Sequence, residues 1–298
     1  MKSLLFFCFC LLMPLFSQAA IDQIVVSEVS ESDVQSVIDA QKANSYVPIW
    51  IDAFQHRTSV SSNAALRTYF NLIFEKVSNP DDYKVQIANQ LIVYPAGEYL
   101  QFLESYINGN GQLRFALIIK ATGSNPVFDA VHVKSDDFQA TFNNLSAQGY
   151  HLKNRSVVNV SGTNYTTGLF EKSNVGSWLS KPKLTAAQAT NEMVANQGAG
   201  RTLVHMDIPT NVPEKYNLIF HQLPTNSGWY AQSNLTKAQL AVAVTNAKNN
   251  GYRTTIVCGY DVSTSVNGNE TYAIRYAVTF VKPSSDPTEG GILGRKGK

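Results

Sequence analysis

The sequence predicts an α+β fold made of five tandem units of about 50 residues, each a helix followed by a β-hairpin. Three observations support this fold class: a repeated apolar strand pattern, repeated helix-start signals and repeated helix-stopping glycines. A period of this length is typical of repeat proteins, in which each unit packs on its neighbours. The single predicted domain spans residues 21–282, with units at about 21–77, 78–121, 122–172, 173–223 and 224–282.

The apolar pattern is clearest in the last strand of each unit. Phe70, Leu72 and Phe74 share one strand face, because alternate residues of a strand point the same way. The last apolar residue of this strand recurs at spacings of 45, 51, 50 and 60 residues, and we expect all five of these side chains to be buried. They are Phe74, Ile119, Phe170, Phe220 and Phe280.

Helix-start residues give a second, independent repeat. Thr236 and Gln239 form a capping box, in which each side chain bonds to the backbone N–H of the other residue, and Thr185 with Gln188 and Ser32 with Gln35 repeat it. The predicted helix starts are Ser32, Asp82, Ser135, Thr185 and Thr236. Glycines that stop helices follow at Gly97, Gly149, Gly198 or Gly200, and Gly251.

A short β-prone run precedes several of these helices, so the full unit is βαββ-like. The runs are Ile24–Val29, Phe128–Val133, Trp178–Leu179 and Trp229–Ala231. The second unit is expected to lack this strand, because Asp82 comes eight residues after Phe74. Unpaired edges at the two ends of the array favour closure into a propeller-like ring, with an open curved array as the alternative. Contacts between residues 22–30 and 253–282 distinguish the two arrangements.

The two chain ends are predicted to lie outside the domain. Residues 1–20 have the features of a secretory signal peptide, with Lys2, an apolar run of 13 residues from Leu4 to Phe16, and small residues before the expected cleavage point. A membrane span needs about 20 apolar residues, so no span is expected once this segment is removed. Residues 283–298, rich in Pro, Ser, Gly and basic residues, are expected to be a disordered tail.

Charge and cysteine content narrow the function classes. The formal net charge is +2, and removal of Lys2 with the signal peptide leaves 23 − 22, or +1, which gives no electrostatic reason to expect a nucleic-acid partner. Cys8 and Cys10 leave with the same segment, so Cys258 has no intrachain disulfide partner. We expect Cys258 to be a small buried hydrophobic residue; a reactive thiol or an intermolecular disulfide is the alternative.

Six sequons follow the Asn-X-Ser/Thr rule and are candidate glycosylation sites in a secreted protein. They are Asn144, Asn154, Asn159, Asn164, Asn234 and Asn269. We expect two or more to be occupied, with Asn164 and Asn269 best placed because both lie at predicted hairpin turns. Chance occurrence in an Asn-rich chain is the alternative for the rest.

Gly-Tyr pairs follow two of the helices, in Gln148-Gly149-Tyr150 and Asn250-Gly251-Tyr252, and a hairpin ending in a strand such as Tyr276–Phe280 comes next. This combination resembles the bacterial tandem-repeat domain. It is similar to the repeat region that accompanies the β-lactamase-like serine hydrolase domain of secreted fungal polyglycine hydrolases. The resemblance covers about residues 22–282 and implies an accessory repeat region without the hydrolase.

No catalytic motif is found in the sequence. Ser180-Lys181-Pro182-Lys183 matches Ser-X-X-Lys in letters, but it contains a proline, precedes the fourth helix and has no companion motifs. A Gly-X-Ser-X-Gly elbow, a Walker loop, a His-Glu-X-X-His motif and paired-cysteine zinc spacing are also missing from the sequence. We therefore predict no catalytic residue, no cofactor and no enzymatic activity.

Two weaker constellations remain. In the predicted hairpin of 201–209 and 215–222, His205 is expected opposite His221 with Asp207 on the same face, a set that can bind zinc. We favour the interpretation that these are polar residues on the solvated side, because His221 lies one place beyond the Phe220 face. Trp178 and Trp229, 51 residues apart, are candidates for stacking on a ligand, but a packing role between units is favoured.

These observations predict a secreted, non-enzymatic repeat module that binds an extracellular protein, peptide or glycan. One alternative is a structural component of an extracellular matrix or secretion. The other is a hydrolase with an unrecognised site, for which Cys258, His205 and His221 are the candidate residues.

Overall fold

A computed structural model of the chain describes residues 22–58, 66–91, 97–121, 128–209, 215–223, 228–266 and 269–283. The predicted signal peptide and the predicted tail beyond Pro283 lie outside these residues. The described part is mostly β, with five three-stranded antiparallel sheets in tandem units and four α-helices. An α+β repeat fold is therefore confirmed at this level.

The elements follow one another along the chain in a repeated order. The first unit contains β1 (Gln23–Ser30), α1 (Val34–Lys42), β2 (Tyr46–Arg57) and β3 (Leu66–Lys76); the second contains β4 (Tyr83–Ala88), β5 (Glu98–Ile107) and β6 (Leu113–Ala121). The third contains β7 (Phe128–Lys134), α2 (Phe138–Ala147), β8 (His151–Val160) and β9 (Thr163–Glu171). The fourth contains β10 (Trp178–Leu184), α3 (Ala186–Gly198), β11 (Thr202–Asp207) and β12 (Tyr216–His221); the fifth contains β13 (Trp229–Leu235), α4 (Lys237–Asn249), β14 (Arg253–Val266) and β15 (Asn269–Val281).

In every sheet the third strand of the unit lies between the first and the second. The third strand is therefore hydrogen-bonded on both sides, and its faces pack against other layers. In β3 the whole run Phe70–Phe74 is inaccessible to solvent, including the polar Asn71. The predicted burial of the last apolar residue is confirmed in all five units: Phe74, Ile119, Phe170, Phe220 and Phe280 are buried.

The helix starts agree with the sequence where a capping residue is strong. Thr185 and Thr236 each form the predicted capping box, with Gln188 and Gln239 respectively. The capping box predicted for Ser32 is wrong, because α1 begins after Asp33 and Gln35 donates to Asp39 instead. In the part of the chain that the structure describes, no helix combines the length and apolarity needed to cross a membrane.

The second unit differs from the prediction. Asp82 ends a 3-10 turn, Pro80–Asp82, and the next residues form β4, so the predicted helix start is wrong and the first strand is present. The sequence from Tyr83 to Ile87 alternates larger apolar residues with Lys84 and Gln86, which is the period of a strand. Within the described residues, no α-helix lies between β4 and β5; residues 92–96 are outside them.

Neighbouring units meet through their second strands: β2 contacts β5 and β14, β8 contacts β5 and β11, and β11 contacts β14. The first unit thus contacts both the second and the fifth. The Gln23 side chain donates to the Thr254 carbonyl at 3.1 Å and accepts from its N–H at 2.9 Å. Lys237 forms an ion pair with Glu28 at 3.0 Å. The start of the domain therefore lies beside its fifth unit.

Candidate functional site

Equivalent residues of the five second strands meet between units, and we call them the inner residues. Each inner residue is paired in its sheet with the residue that lies three places before the last buried apolar residue of the central strand. Asp52, for example, pairs with Asn71, three residues before Phe74. All five are buried, in a spacing of 52, 52, 51 and 51 residues. The inner residues are Asp52, Glu104, Ser156, Asp207 and Cys258.

Three inner residues accept a backbone hydrogen bond from the neighbouring unit. Asp52 accepts from Gly259 N–H at 2.9 Å, and Ser156 Oγ accepts from the N–H of Ser105 at 2.9 Å. Asp207 accepts from the N–H of the residue after Ser156. In each case the donor is the residue directly after the inner residue of the preceding unit. For the first unit, the fifth unit takes the place of the preceding one. One contact is thus repeated at three interfaces.

A second repeated contact lies two residues earlier on the same strands. Trp50 Nε1 donates to the Val257 carbonyl at 2.9 Å, and His205 Nε2 donates to the Arg155 carbonyl at 2.5 Å. Asn154 likewise donates to the Leu103 carbonyl. The second strands are sheet edges, with backbone groups that their own sheets leave unpaired. Side chains from the next unit satisfy these groups and bind the units together.

Asp52 and Asp207 belong to a matching hydrogen-bond chain in the first and fourth units. Asn71 Nδ2 donates to Asp52 at 2.7 Å, and Asn217 Nδ2 donates to Asp207 at 2.9 Å. The oxygen of Asn217 accepts from the N–H of Lys183 at 3.1 Å. Lys183 lies at a β-bulge with a left-handed φ of 56°, which turns its N–H toward the asparagine. In the first unit the N–H of Glu28 donates to the oxygen of Asn71 at 3.4 Å, so each chain links all three strands of its sheet.

The carboxyls at these positions have strongly perturbed protonation. Burial raises the pKa of Asp52 to about 7 and that of Asp207 to about 7, in spite of the hydrogen bonds that they accept. Burial, followed by the negative charges of Asp207 and Asp52, also raises the pKa of Glu104 well above its usual range. The Cys258 thiol is fully buried, and burial raises its pKa well above normal. Its Sγ donates to the Met206 carbonyl at 3.0 Å.

The predicted opposition of His205 and His221 is wrong. The register differs by two residues from the predicted one, so Asp207 pairs with Asn217 and His205 pairs with Ile219. A β-bulge between Leu203 and His205 then shifts the partner of His221 by one more residue, to Thr202. The solvated interpretation is also wrong, because both imidazoles are buried. Burial lowers the pKa of His205 to about 4 and that of His221 to about 3, so both are neutral at physiological pH. Across the described ranges, no three His, Cys, Asp or Glu side chains are placed to hold a metal ion, Asp207 included.

A charged cluster lies at the other end of the second strands. Lys153 pairs with Glu171 at 2.8 Å, and Tyr99 of the second unit donates to the same carboxylate. Burial by itself raises the pKa of Glu171, but Lys153 and Tyr99 outweigh it and lower that pKa to about 2. The rings of His151 and His221 lie 4.9 Å apart beside this cluster. The cluster joins the second, third and fourth units.

Both candidate tryptophans lie between units. Trp229 is buried and donates through Nε1 to the Arg201 carbonyl of the fourth unit at 2.8 Å. Trp178 is half-buried and packs on Phe142 of α2, with ring centroids 5.4 Å apart. These contacts are those of the packing role favoured from the sequence.

The Ser-X-X-Lys match at Ser180 lies in a strand, and its neighbouring lysine is in an ion pair. Ser180 lies on strand β10 and not on a helix, and Lys181 forms an ion pair with Glu192 at 3.0 Å. A Ser-X-X-Lys nucleophile needs a helix to bring its two side chains together. The arrangement at Ser180 is therefore not the geometry that this chemistry uses.

The sequons divide by exposure. Asn144, Asn164 and Asn234 are exposed, and Asn159 is half-buried. Asn269 lies at the start of β15, and its side chain falls outside the described set. The prediction for Asn154 is wrong, because its amide is buried and donates to the Leu103 carbonyl between units. Glycosylation at the exposed positions stays a prediction.

An open groove of about 220 Å³ lies between α3 of the fourth unit and β13 of the fifth. Its lining includes Ala189, Met193, Val194, Met206, Ala231 and Ala277. Val194 is 66% exposed, which is high for a branched apolar side chain. Alanines lie on both walls, and the larger side chains of Tyr216, Trp229 and Tyr230 complete the lining. Of this lining, the sequence indicated only Trp229 as a candidate, because the two walls are about 40 residues apart and belong to different units.

These features define a tandem-repeat protein whose units are joined by buried polar side chains. A scan against protein-family models matches the polyglycine hydrolase-like structural repeat at residues 26–77, 131–173 and 226–283. The three matches cover just over half of the chain, and the chain belongs to this family. They correspond to the first, third and fifth units. A search of curated proteins found no match.

Proposed function

We propose that the chain is a secreted, non-enzymatic repeat module that binds an extracellular protein, peptide or glycan. The observation that carries this proposal is the open groove between α3 and β13, with alanines on both walls, Trp229 in its lining and the exposed Val194. An extended peptide fits such a groove best, because its narrow backbone can lie between the alanines of the two walls. The buried titratable clusters join units, which supports a scaffold role for them.

Secretion is supported by the apolar run from Leu4 to Phe16, and the exposed amides of Asn144, Asn164 and Asn234 support glycosylation. Both parts of the proposal are checked on protein expressed from the full sequence in a eukaryotic secretory host. Protein recovered from the medium should lack residues 1–20 and should lose mass on glycosidase treatment. Retention of the protein in the cells would contradict secretion, whatever the groove binds.

Binding is tested with the secreted protein and immobilised peptide and glycan libraries that include oligoglycine. We expect saturable binding to a peptide, without cleavage, and at least a tenfold loss of affinity in V194E, because a buried carboxylate without a partner is costly. A195E is the matched control, since Ala195 is exposed on the same helix α3 but does not line the groove. Equal loss in both variants, or no saturable binding, would contradict a site at the groove, and hydrolysis of a bound peptide would contradict the non-enzymatic role.

We also propose that the five units close into a propeller-like ring. The support is that the interface between the first and fifth units repeats the hydrogen bonds made at other interfaces: Trp50 and Asp52 use the same two positions as Asn154 and Ser156 in the third unit. A regular repeat of one head-to-tail contact produces a ring when the rotation closes.

Ring closure is tested by carbodiimide treatment, which joins a carboxylate directly to a contacting amine. We expect a cross-link between Glu28 and Lys237, which are 209 residues apart in sequence and 3.0 Å apart in space. The Lys181–Glu192 pair, also at 3.0 Å but within the fourth unit, is the internal control for reactivity. Cross-linking of the control pair without the Glu28–Lys237 product would show an open array.

A further inference from the structure

Carboxyl groups at the inner positions of three different units interact electrostatically. We call Asp52, Glu104 and Asp207, together with the Cys258 thiol, the central acidic cluster. Besides burial, the negative charges of Asp207 and Asp52 raise the pKa of Glu104. Burial and the charges of all three carboxyls raise the pKa of the Cys258 thiol. The three acidic residues are buried, with exposed fractions of 8%, 6% and 8%. They belong to the first, second and fourth units, and the thiol belongs to the fifth.

The hydrogen bonds to this cluster are too few for three carboxylates. Asp52 accepts from Asn71 and from Gly259, in both cases through Oδ2, and it also has a hydrogen bond with the Cys258 thiol. Asp207 accepts from Asn217 and from one backbone N–H. Burial and the charges of Asp207 and Asp52 act on the Glu104 carboxyl, and no hydrogen bond from a described residue acts with them. A buried carboxylate without donors or a counter-ion is strongly unfavourable.

Positive charge near the cluster is also insufficient. Arg155 from β8 is buried and acts on Asp207, while its guanidinium lies 4.8 Å from the centre of the Phe138 ring. His205 from β11 is neutral near pH 7, because burial lowers its pKa to about 4. Three ionised carboxyls and one guanidinium give −3 + 1, or −2, among buried residues. Neutrality therefore requires two protons on the three carboxyls.

We propose that the folded protein holds protons on the central acidic cluster at neutral pH, and that losing them at alkaline pH loosens the packing of the first, second, fourth and fifth units. The cluster is then a pH-sensitive contact between units. In acid the protonated carboxyls donate and accept hydrogen bonds, and in alkali the ionised carboxylates repel each other. Because Asp52 also accepts a hydrogen bond from the Gly259 N–H, the contact between the first and fifth units depends on the same protonation.

The direction of the effect follows from the raised pKa values. An unfolded aspartate has a pKa near 3.8, whereas burial raises that of Asp52 and of Asp207 to about 7. The folded state binds more protons than the unfolded state between these values, so stability falls as the pH rises through this window. The stabilisation is fully present below about pH 4 and is lost above about pH 7.

The test compares thermal unfolding midpoints at pH 5.5 and pH 8.5. We expect the wild-type midpoint to be lower at pH 8.5 by roughly 5 °C or more. E104Q should narrow this difference, mainly by raising the midpoint at pH 8.5, because an amide resembles a protonated carboxyl and cannot ionise. D136N is the matched control: Asp136 is exposed, and its substitution should leave the difference unchanged.

A second measurement, on the wild-type protein, tests the protonation directly and does not depend on whether E104Q folds well. Infrared spectra of the wild-type protein should contain a C=O band of protonated carboxylic acid at pH 6.5, which disappears on unfolding and is weaker in E104Q. Absence of this band, or a midpoint difference in E104Q equal to that of the wild type, would overturn the proposal. Neither result depends on ligand binding in the groove.

Discussion

Replacing Phe280 with alanine is expected to destabilise the protein by about 3–5 kcal/mol, because the change removes a large buried side chain and leaves a cavity. Phe280 is fully buried in β15, the central strand of the fifth sheet, and its ring centroid lies 4.9 Å from that of Tyr230. Urea unfolding followed by circular dichroism measures the loss. V242A is the control, since an exposed position should change stability by less than about 0.5 kcal/mol. A loss below 1 kcal/mol in F280A would contradict the assignment of this strand face to the core.

The second large effect is expected at Gly259, the residue that donates to Asp52. A Cβ built at this position would lie 2.5 Å from two ring carbons of Phe54 and 2.8 Å from Nδ2 of Asn71. G259A must therefore displace Phe54 or break the bond between Asn71 and Asp52. We expect a destabilisation of at least about 1–3 kcal/mol, the range for overpacking a close contact.

G198A is the matched control for this experiment. Gly198 ends α3, and a Cβ there would meet no atom within 4 Å. Alanine should be neutral or stabilising at that position by up to about 1 kcal/mol, because glycine is a poor helix former. Equal stability of G259A and the wild type would mean that the first and fifth units are not packed as described.

The elements that the sequence predicted well depend on local chemistry. The capping boxes at Thr185 and Thr236 involve residues three apart, and strand faces such as that ending at Phe74 follow a period of two. The sequence-based predictions were wrong where residues distant in the sequence determine the local structure. At Asp82, strand pairing with β6 prevailed over the helix-start signal. At His205, the register of β11 against β12 differs by two residues from the expected one, which changes the cross-strand partner.

The contacts between units were not predicted, because their partners are about 50 residues apart, or more than 200 between the first and fifth units. A signal was nevertheless present. Asn-Leu-Ile-Phe occurs at residues 71–74 and again at 217–220, and Asp52 and Asp207 each follow an apolar residue in a strand that is otherwise mostly apolar. A polar residue repeated at the same place in two buried runs indicates a shared hydrogen-bonding role.

The order of strands within each sheet has a consequence for synthesis on the ribosome. The central strand is the last of its unit to be made, so no sheet can form before its whole unit has emerged. Units three, four and five then find the backbone groups that they bind already in place, since these belong to the unit before. The first unit is the exception. Trp50 and Asp52 have to wait for residues 257 and 259, so the earliest part of the domain to be translated is the last to obtain its full set of partners.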